Sequence, residues 1–170
     1  MKWIGALLVI LTCFFTGMDY SRRLAQRPKA LRLWKNALLI LEAEMVYSHA
    51  TVQNACENIA KQIGDPLSGF FLSVSKRLQY EKTDLYLIWE EEVDQFWTRA
   101  ALSKEDKEII KQFGKTLGQH DIIQQKKYIQ LAIVHLENKH KESIEMNQRY
   151  GKVSGSLGLL SGVFIALLLL

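Results

Sequence analysis

The chain has 170 residues, with 22 Lys or Arg against 18 Asp or Glu, a net charge of +4 and a mean hydropathy of -0.04. Two Pro, ten Gly and two Cys exclude a collagen-like repeat, a disulfide scaffold and a disordered chain, and the length suits one domain. These averages hide a strong segregation of charge. Neither Trp3–Met18 nor Val153–Leu170 contains a charged residue.

The first uncharged run predicts a transmembrane helix within residues 1–20. Its 16 residues fall just short of the roughly 17 needed to cross a bilayer core, but Trp3 and Tyr20 bracket it as aromatic rings at the headgroup level do. A cleaved signal peptide is the alternative, with Cys13 as the lipidated residue of a lipoprotein variant. The missing Ala-x-Ala-like cleavage site argues against that alternative.

A cluster of six cations follows this run, against the single Asp19. They are Arg22, Arg23, Arg27, Lys29, Arg32 and Lys35. The chain is therefore expected to be an integral protein of the cell membrane. By the positive-inside rule, the charge asymmetry predicts that residues 21–150 face the cytoplasm and that both chain ends lie on the other side of the membrane. Because the cluster adjoins the first span, anionic lipids are its nearest partner; the alternative is a topology signal without a ligand.

Residues 21–150 predict an all-α, antiparallel bundle of about six helices, because apolar residues recur there with the 3.6-residue period and breaks are few. Each predicted helix has a starting signal of capping or turn residues. These signals are Pro28, Thr51, Asp65 with Pro66, Asp84, Ser103 with Asp106 as a capping box, and Asp121. Gly118 is predicted to end the fifth helix.

The second uncharged run predicts a transmembrane helix within residues 151–170, since it has no polar face to present to solvent; a buried core helix is the alternative. Gly151 with Gly155 and Gly158 with Gly162 form two small-xxx-small pairs. Such pairs favour close helix packing in lipid, although glycine is also simply common in membrane helices.

Three patterns suggest chemistry but are incomplete. Gly114-Lys115-Thr116 resembles the end of a phosphate-binding loop, but it lacks the earlier glycine and the preceding strand. Glu137 and His140 have the E-x-x-H spacing of di-metal bundles without the second copy that such sites need. The sequence therefore predicts no enzyme, no catalytic residue, no cofactor and no metal.

His49 and Cys56 are the third pattern. On one helix their seven-residue separation gives roughly 10 Å, too far for a nucleophile and its base.

The charge balance of the middle region bears on its partners. Residues 36–152 hold 15 basic and 17 acidic residues, so no broad basic surface is expected and nucleic acid is not a predicted partner. Within this region Glu90, Glu91, Glu92 and Asp94 form an acidic run. We interpret this run as an exposed patch that could contact a partner.

Several of these segments together resemble one family over essentially the whole length. They are Arg27-Pro28, Leu41-Glu42-Ala43-Glu44-Met45-Val46-Tyr47, the stretch from Phe113-Gly114 to His120-Asp121, and the charge-free tail. In this combination the chain resembles the stage III sporulation protein AB family of endospore-forming bacteria. It departs from that pattern at Ala50-Thr51-Val52, where a Thr-Pro-Leu turn is expected.

The resemblance implies a structural membrane component of the channel between mother cell and forespore, made in the mother cell. It also implies a helical domain similar to the cytoplasmic domains of platform proteins of type II secretion and type IV pilus systems. The implied partners are the other proteins of the sporulation channel complex, including its ATPase. The alternative function is a membrane-tethered metal- or nucleotide-dependent enzyme using Glu137 and His140 or Lys115.

Overall fold

A computed structural model describes residues 2–119 and 121–150, without the side chains of residues 2–11, 13, 14, 17 and 20. The predicted second span at 151–170, with Gly151, Gly155, Gly158 and Gly162, lies outside the described residues. Within the described residues, no helix combines the length and the apolarity that crossing a membrane requires.

The described ranges are helical and contain no strand, so the prediction of an all-helical bundle is confirmed. The helices are α1 (Lys2–Glu42), which continues into a π-helical turn (Ala43–Tyr47), α2 (Val52–Gln62), α3 (Leu67–Tyr80), α4 (Leu85–Arg99), α5 (Lys104–Thr116) and α6 (Ile122–Tyr150). They divide into a terminal unit of residues 2–28 and 141–150 and a central unit of Lys29–His140.

The prediction that Pro28 begins a helix is wrong, because α1 passes through it without a break. Proline has the same φ preference at the first helical position and inside a helix, so its sequence signal does not separate the two. An interior proline costs roughly 3 kcal/mol. The buried stripe of Leu31, Trp34, Leu38 and Leu41 on the same helix offsets that cost.

Most of the predicted helix starts are confirmed by their caps. Thr51 Oγ1 accepts from the Asn54 amide, the Asp84 carboxylate accepts from the Tyr86 amide, and Ser103 forms the expected capping box. The prediction for Asp65 is wrong. Pro66 occupies the N-cap position of α3, and the Asp65 carboxylate accepts from the Ser68 hydroxyl instead of a backbone amide.

The relative direction of the helices in the central unit follows from contacts between them. Lys35 Nζ lies 2.6 Å from Glu137 Oε2, and Gln130 Nε2 donates to Glu42 Oε1 at 2.8 Å. Because residue numbers rise along α1 as they fall along α6, the two helices are antiparallel. The same reasoning applies to α4 and α5, where Lys111 contacts Glu90 and Lys107 contacts Asp94.

These contacts define two ends of the central unit. The first and last residues of the central unit, Lys29 and His140, lie at the end that we call the neck end. The opposite end carries the π-helical turn, and we call it the far end. Lys139 on α6 pairs with Glu105 in the first turn of α5. The turn between α4 and α5 therefore lies at the neck end.

An aromatic cluster forms the middle of the central unit. The indole of Trp34 lies 5.0 Å from Phe70, 5.7 Å from Phe96 and 6.2 Å from Trp89, measured between ring centroids. The Trp89 ring in turn packs 5.8 Å from Phe113. Mostly edge-to-face contacts of this kind join α1, α3, α4 and α5 and add roughly 0.5–1.5 kcal/mol each to the area they bury.

Candidate functional site

Three of the six predicted membrane-surface cations are engaged within the protein. In the terminal unit, Arg23 Nε pairs with Asp19 at 3.1 Å, and the Arg27 guanidinium lies 3.8 Å from Met146 Sδ. In the central unit, Lys35 pairs with Glu137. These three side chains therefore take part in intramolecular contacts that the sequence did not predict.

The other three cations are available to solvent. Arg22 in the terminal unit and Lys29 and Arg32 in the central unit are exposed, and none has an ion-pair partner within the described ranges. The Lys29 and Arg32 positions are three residues apart on α1, so that they share one helix face.

The fold adds two cations that sequence reasoning missed. Arg99 is the last residue of α4 and Lys104 the first residue of α5, both exposed and without an ion-pair partner among residues 29–119 and 121–140. The turn between α4 and α5 places them at the neck end with Lys29 and Arg32. We call these four residues the neck cations. The signal that could have identified them is the antiparallel direction of the helices, which brings this turn to the level of Lys29 on α1.

The carboxylates at the neck end are largely occupied. Glu105 pairs with Lys139, and Glu137 pairs with Lys35. Asp106 is fully buried, and its carboxylate accepts from the Ser103 amide in the capping box. Asp65 accepts from the Ser68 hydroxyl. The four neck cations are exposed at this end without an ion pair in the described residues. Glu108, one turn after Lys104 on α5, is an exposed carboxylate that likewise has no ion pair there.

The acidic run on α4 takes part in ion pairs with α3 and α5, and Glu91 remains exposed. Its interpretation as a partner contact stays a prediction. Arg77 of α3 binds Glu91 at 2.7 Å and Glu92 at 3.2 Å, and it also binds Glu81 at 2.8 Å. Glu92 is only 8% exposed. The hydrogen bonds that Arg77 donates to Glu81 and then Glu91 raise the pKa of Arg77, and the bond from Arg77 lowers the pKa of Glu81.

The other half of this run is held from α5. Lys111 lies 3.1 Å from Glu90 and 2.8 Å from Asp94, and Lys107 lies 2.8 Å from Asp94. Hydrogen bonds from Lys107 and then Lys111 lower the pKa of Asp94, and the bond to Asp94 raises the pKa of Lys111. The run therefore joins α4 to its two neighbours.

The phosphate-loop resemblance at Gly114 has a packing explanation. Gly114 lies inside α5 against the Trp89 indole, where an added Cβ would come within 2.2 Å of Trp89 Cδ1. The Thr116 hydroxyl donates to the Phe113 carbonyl, and Lys115 Nζ lies 5.4 Å from the centre of the Tyr86 ring. Amide groups within a helix are bonded to its own carbonyls, so they cannot cradle a phosphate.

The remaining patterns are also structural. Glu137 is bound to Lys35, and the described residues contain no group of three or more side chains suited to hold a metal ion. Cys56 is fully buried, and burial raises the pKa of its thiol to about 12. His49 is exposed, with a φ of 52°, and precedes α2, so it does not share a helix with Cys56.

Comparisons with known proteins agree with this geometry. The family model for stage III sporulation protein AB matches residues 2–170. The chain is 35% identical over 170 residues to stage III sporulation protein AB of Bacillus subtilis (strain 168), covering all of this chain and 99% of that protein. A solved structure of a stage III sporulation protein AB superposes with a TM-score of 0.67 at 37% identity, covering 72% of this chain and 96% of the solved one.

Proposed function

Since this chain belongs to the stage III sporulation protein AB family, we propose that it is a structural membrane component of the channel between mother cell and forespore. The observation that carries the proposal is the family match over residues 2–170. That match includes both uncharged runs as well as the helical bundle. The family match therefore covers a helical domain together with the apolar segment on each side of it.

In this proposal residues 1–20 and 151–170 are transmembrane helices and the bundle faces the mother-cell cytoplasm. The support is the distribution of charge, with six cations directly after the first run and one lysine before it. Cations near a membrane segment favour the cytoplasmic side. The bundle then acts as a platform, as the cytoplasmic domains of type II secretion and type IV pilus platform proteins do.

A structural role suits the way this chain uses its reactive residue types. Gly114 packs against the Trp89 ring, Glu137 pairs with Lys35, and the Cys56 side chain is buried in the core. The names of the family and of its Bacillus subtilis member specify no reaction. We propose that the chain is not an enzyme and that its role is to hold other proteins in place.

The proposed partners are the other proteins of the sporulation channel complex, including its ATPase. The glycines of the second run, Gly151, Gly155, Gly158 and Gly162, are the proposed surface for packing against another membrane helix. Small residues let helices approach closely in lipid, where apolar side chains gain nothing by leaving the hydrocarbon.

The proposal is tested by deleting the gene in the bacterium that carries it and complementing the deletion with variants. The deletion should block sporulation around the end of engulfment, and the wild-type gene should restore it. Gly158→Leu should fail to restore it, whereas Ser156→Leu, an enlargement of a small residue away from the glycine stripe, should succeed. Normal spore formation in the deletion strain would refute the channel role. Release of the chain from membranes by alkaline carbonate would refute the transmembrane assignment.

A further inference from the structure

We propose that the neck cations, Lys29, Arg32, Arg99 and Lys104, bind anionic lipid headgroups and hold the bundle against the membrane. This inference rests on the proposed membrane function but adds a second contact to it. The proposed transmembrane helices attach the bundle to the membrane only through its chain ends. A cationic face on the bundle itself would fix its orientation.

The first support is the availability of these side chains. All four are exposed, and none has an ion-pair partner in the described part of the chain. By contrast Lys35 and Lys139, at the same end, are paired with Glu137 and Glu105. The protein therefore separates cations that join helices from cations that face outward.

The second support is their convergence from distant parts of the sequence. Lys29 and Arg32 begin the α1 part of the central unit, while Arg99 and Lys104 flank the turn between α4 and α5. Pro66 and Arg99 line one cleft of about 310 Å³, so the start of α3 lies beside Arg99. Glu92 also lines this cleft and is paired with Arg77, and Asp65, next to Pro66 in the chain, accepts a hydrogen bond from the Ser68 hydroxyl.

The third support identifies the anion. Both uncharged runs connect to the central unit at the neck end, because one precedes Lys29 and the other follows His140 in the chain. A membrane that takes up these runs would therefore be the nearest anionic surface. Cations close to such a surface bind phospholipid headgroups without any dedicated pocket. A nucleic acid would have no comparable reason to be at this end, and a protein partner is distinguished by the test below.

The neck cations should have a measurable effect on the ratio of docked to undocked bundles. Each cation near an anionic membrane surface shifts a docking equilibrium about fivefold. Replacing all four by glutamine should therefore lower the ratio of docked to undocked bundles by more than about 100-fold. Removing four cations elsewhere on the bundle should have a much smaller effect on docking, because salt screens Coulomb interactions beyond about 10 Å at ordinary ionic strength.

The test uses the full chain in nanodiscs of phosphatidylcholine with or without phosphatidylglycerol. Cys13 and Cys56 are changed to alanine, and a fluorophore is attached at Thr98→Cys beside the neck cations or at Ser48→Cys at the far end. Both native positions are exposed. A quencher on the lipid headgroups should quench the label at position 98 only when phosphatidylglycerol is present. It should not quench the label at position 48, and high salt should reverse the effect.

The matched control removes four far-end cations. The test variant carries Lys29→Gln, Arg32→Gln, Arg99→Gln and Lys104→Gln. The control carries Lys82→Gln, Lys115→Gln, Lys126→Gln and Lys127→Gln, and circular dichroism verifies that both are folded. Only the test variant should lose quenching at position 98. Equal loss in both variants, or quenching without phosphatidylglycerol, would overturn the proposal.

Three further outcomes separate the lipid contact from a protein or RNA partner and from the transmembrane assignment. If soluble polyglutamate or RNA binds the neck cations more tightly than phosphatidylglycerol does, the partner is not lipid and the proposal is wrong. If alkaline carbonate extracts the chain while the phosphatidylglycerol-dependent quenching persists, the transmembrane assignment fails and the lipid contact stands. If the chain resists extraction but the test variant quenches normally, only the lipid contact fails.

Discussion

Gly114→Ala tests the packing of α5 against α4, because two physical effects predict opposite signs for it. By helix propensity alone, replacing a helical glycine with alanine stabilises a protein by about 1 kcal/mol. The structure predicts the reverse. An alanine Cβ would lie 2.2 Å from Trp89 Cδ1 and 2.6 Å from Trp89 Nε1, and the Trp89 side chain is fully buried.

The magnitude follows from what the Trp89 ring must give up. Overpacking a core in this way costs about 2 kcal/mol. The displaced ring would also strain or break the 3.0 Å hydrogen bond from Trp89 Nε1 to the Ile110 carbonyl, and a buried unpaired donor costs about 2 kcal/mol. Subtracting the helix-propensity gain leaves a net loss of about 3 kcal/mol. For a chain of this length that loss lowers Tm by about 9 °C.

The assay is thermal and urea unfolding of the full chain in mild detergent, followed by circular dichroism. Gly69→Ala is the matched control, since Gly69 also lies in a helix but its added Cβ would meet nothing within 4 Å. That control should gain up to about 1 kcal/mol. Trp89→Leu should reduce the penalty of Gly114→Ala in a double-mutant cycle. If Gly114→Ala proves as stable as the parent, the inferred clash is wrong.

Three other predictions follow from the ion pairs and the core. Arg77→Gln should destabilise the chain by about 2–3 kcal/mol in urea unfolding, because it leaves the nearly buried Glu92 unpaired, whereas Lys76→Gln, which removes an exposed unpaired cation, should have almost no effect. Asp94 has a lowered pKa, so its pairing stabilises the fold above its ordinary value of 3.8, and this contribution disappears as the pH falls through the folded-state value. Unfolding between about pH 5 and pH 2 should therefore show a smaller acid-dependent loss in Lys111→Gln than in the parent, and an equal loss would contradict the assignment. Cys56 should resist maleimide at about pH 8 until the chain is unfolded, because it is buried and its thiol is protonated there. A topology experiment in cells should consequently label Ser48→Cys, and rapid labelling of native Cys56 would show that the core opens.

Local signals predicted the helix boundaries well. The caps at Thr51, Asp84 and Ser103 each involve residues two or three positions apart, so the sequence alone contains both partners. Pro28 failed as a boundary signal because its effect depends on whether the preceding turn is helical. That in turn depends on packing along the whole of α1.

The candidate site needed the fold. Neither the binding of Glu91 and Glu92 by Arg77 nor the position of Arg99 beside the start of α3 can be read from spacing, because each joins residues on different helices. The acidic residues flank or lie away from the apolar stripe of α4, and this pattern alone predicts exposure without ion pairs. The neighbouring helices α3 and α5 supply its cations at positions that only the antiparallel order reveals.

The net charge of residues 36–152 does not oppose the proposed lipid contact once its location is considered. Five carboxylates, those of Glu81, Glu90, Glu91, Glu92 and Asp94, are held by only three cations, Arg77, Lys107 and Lys111. This cluster alone accounts for the whole net charge of -2 in that region. The rest of the region is balanced, and at the neck end Glu105, Asp106 and Glu137 are engaged while Arg99 and Lys104 have no ion pair in the described residues. The central unit, with 15 basic and 15 acidic residues, can therefore present a cationic face at the neck end, because ion pairing and capping occupy most of the acids there.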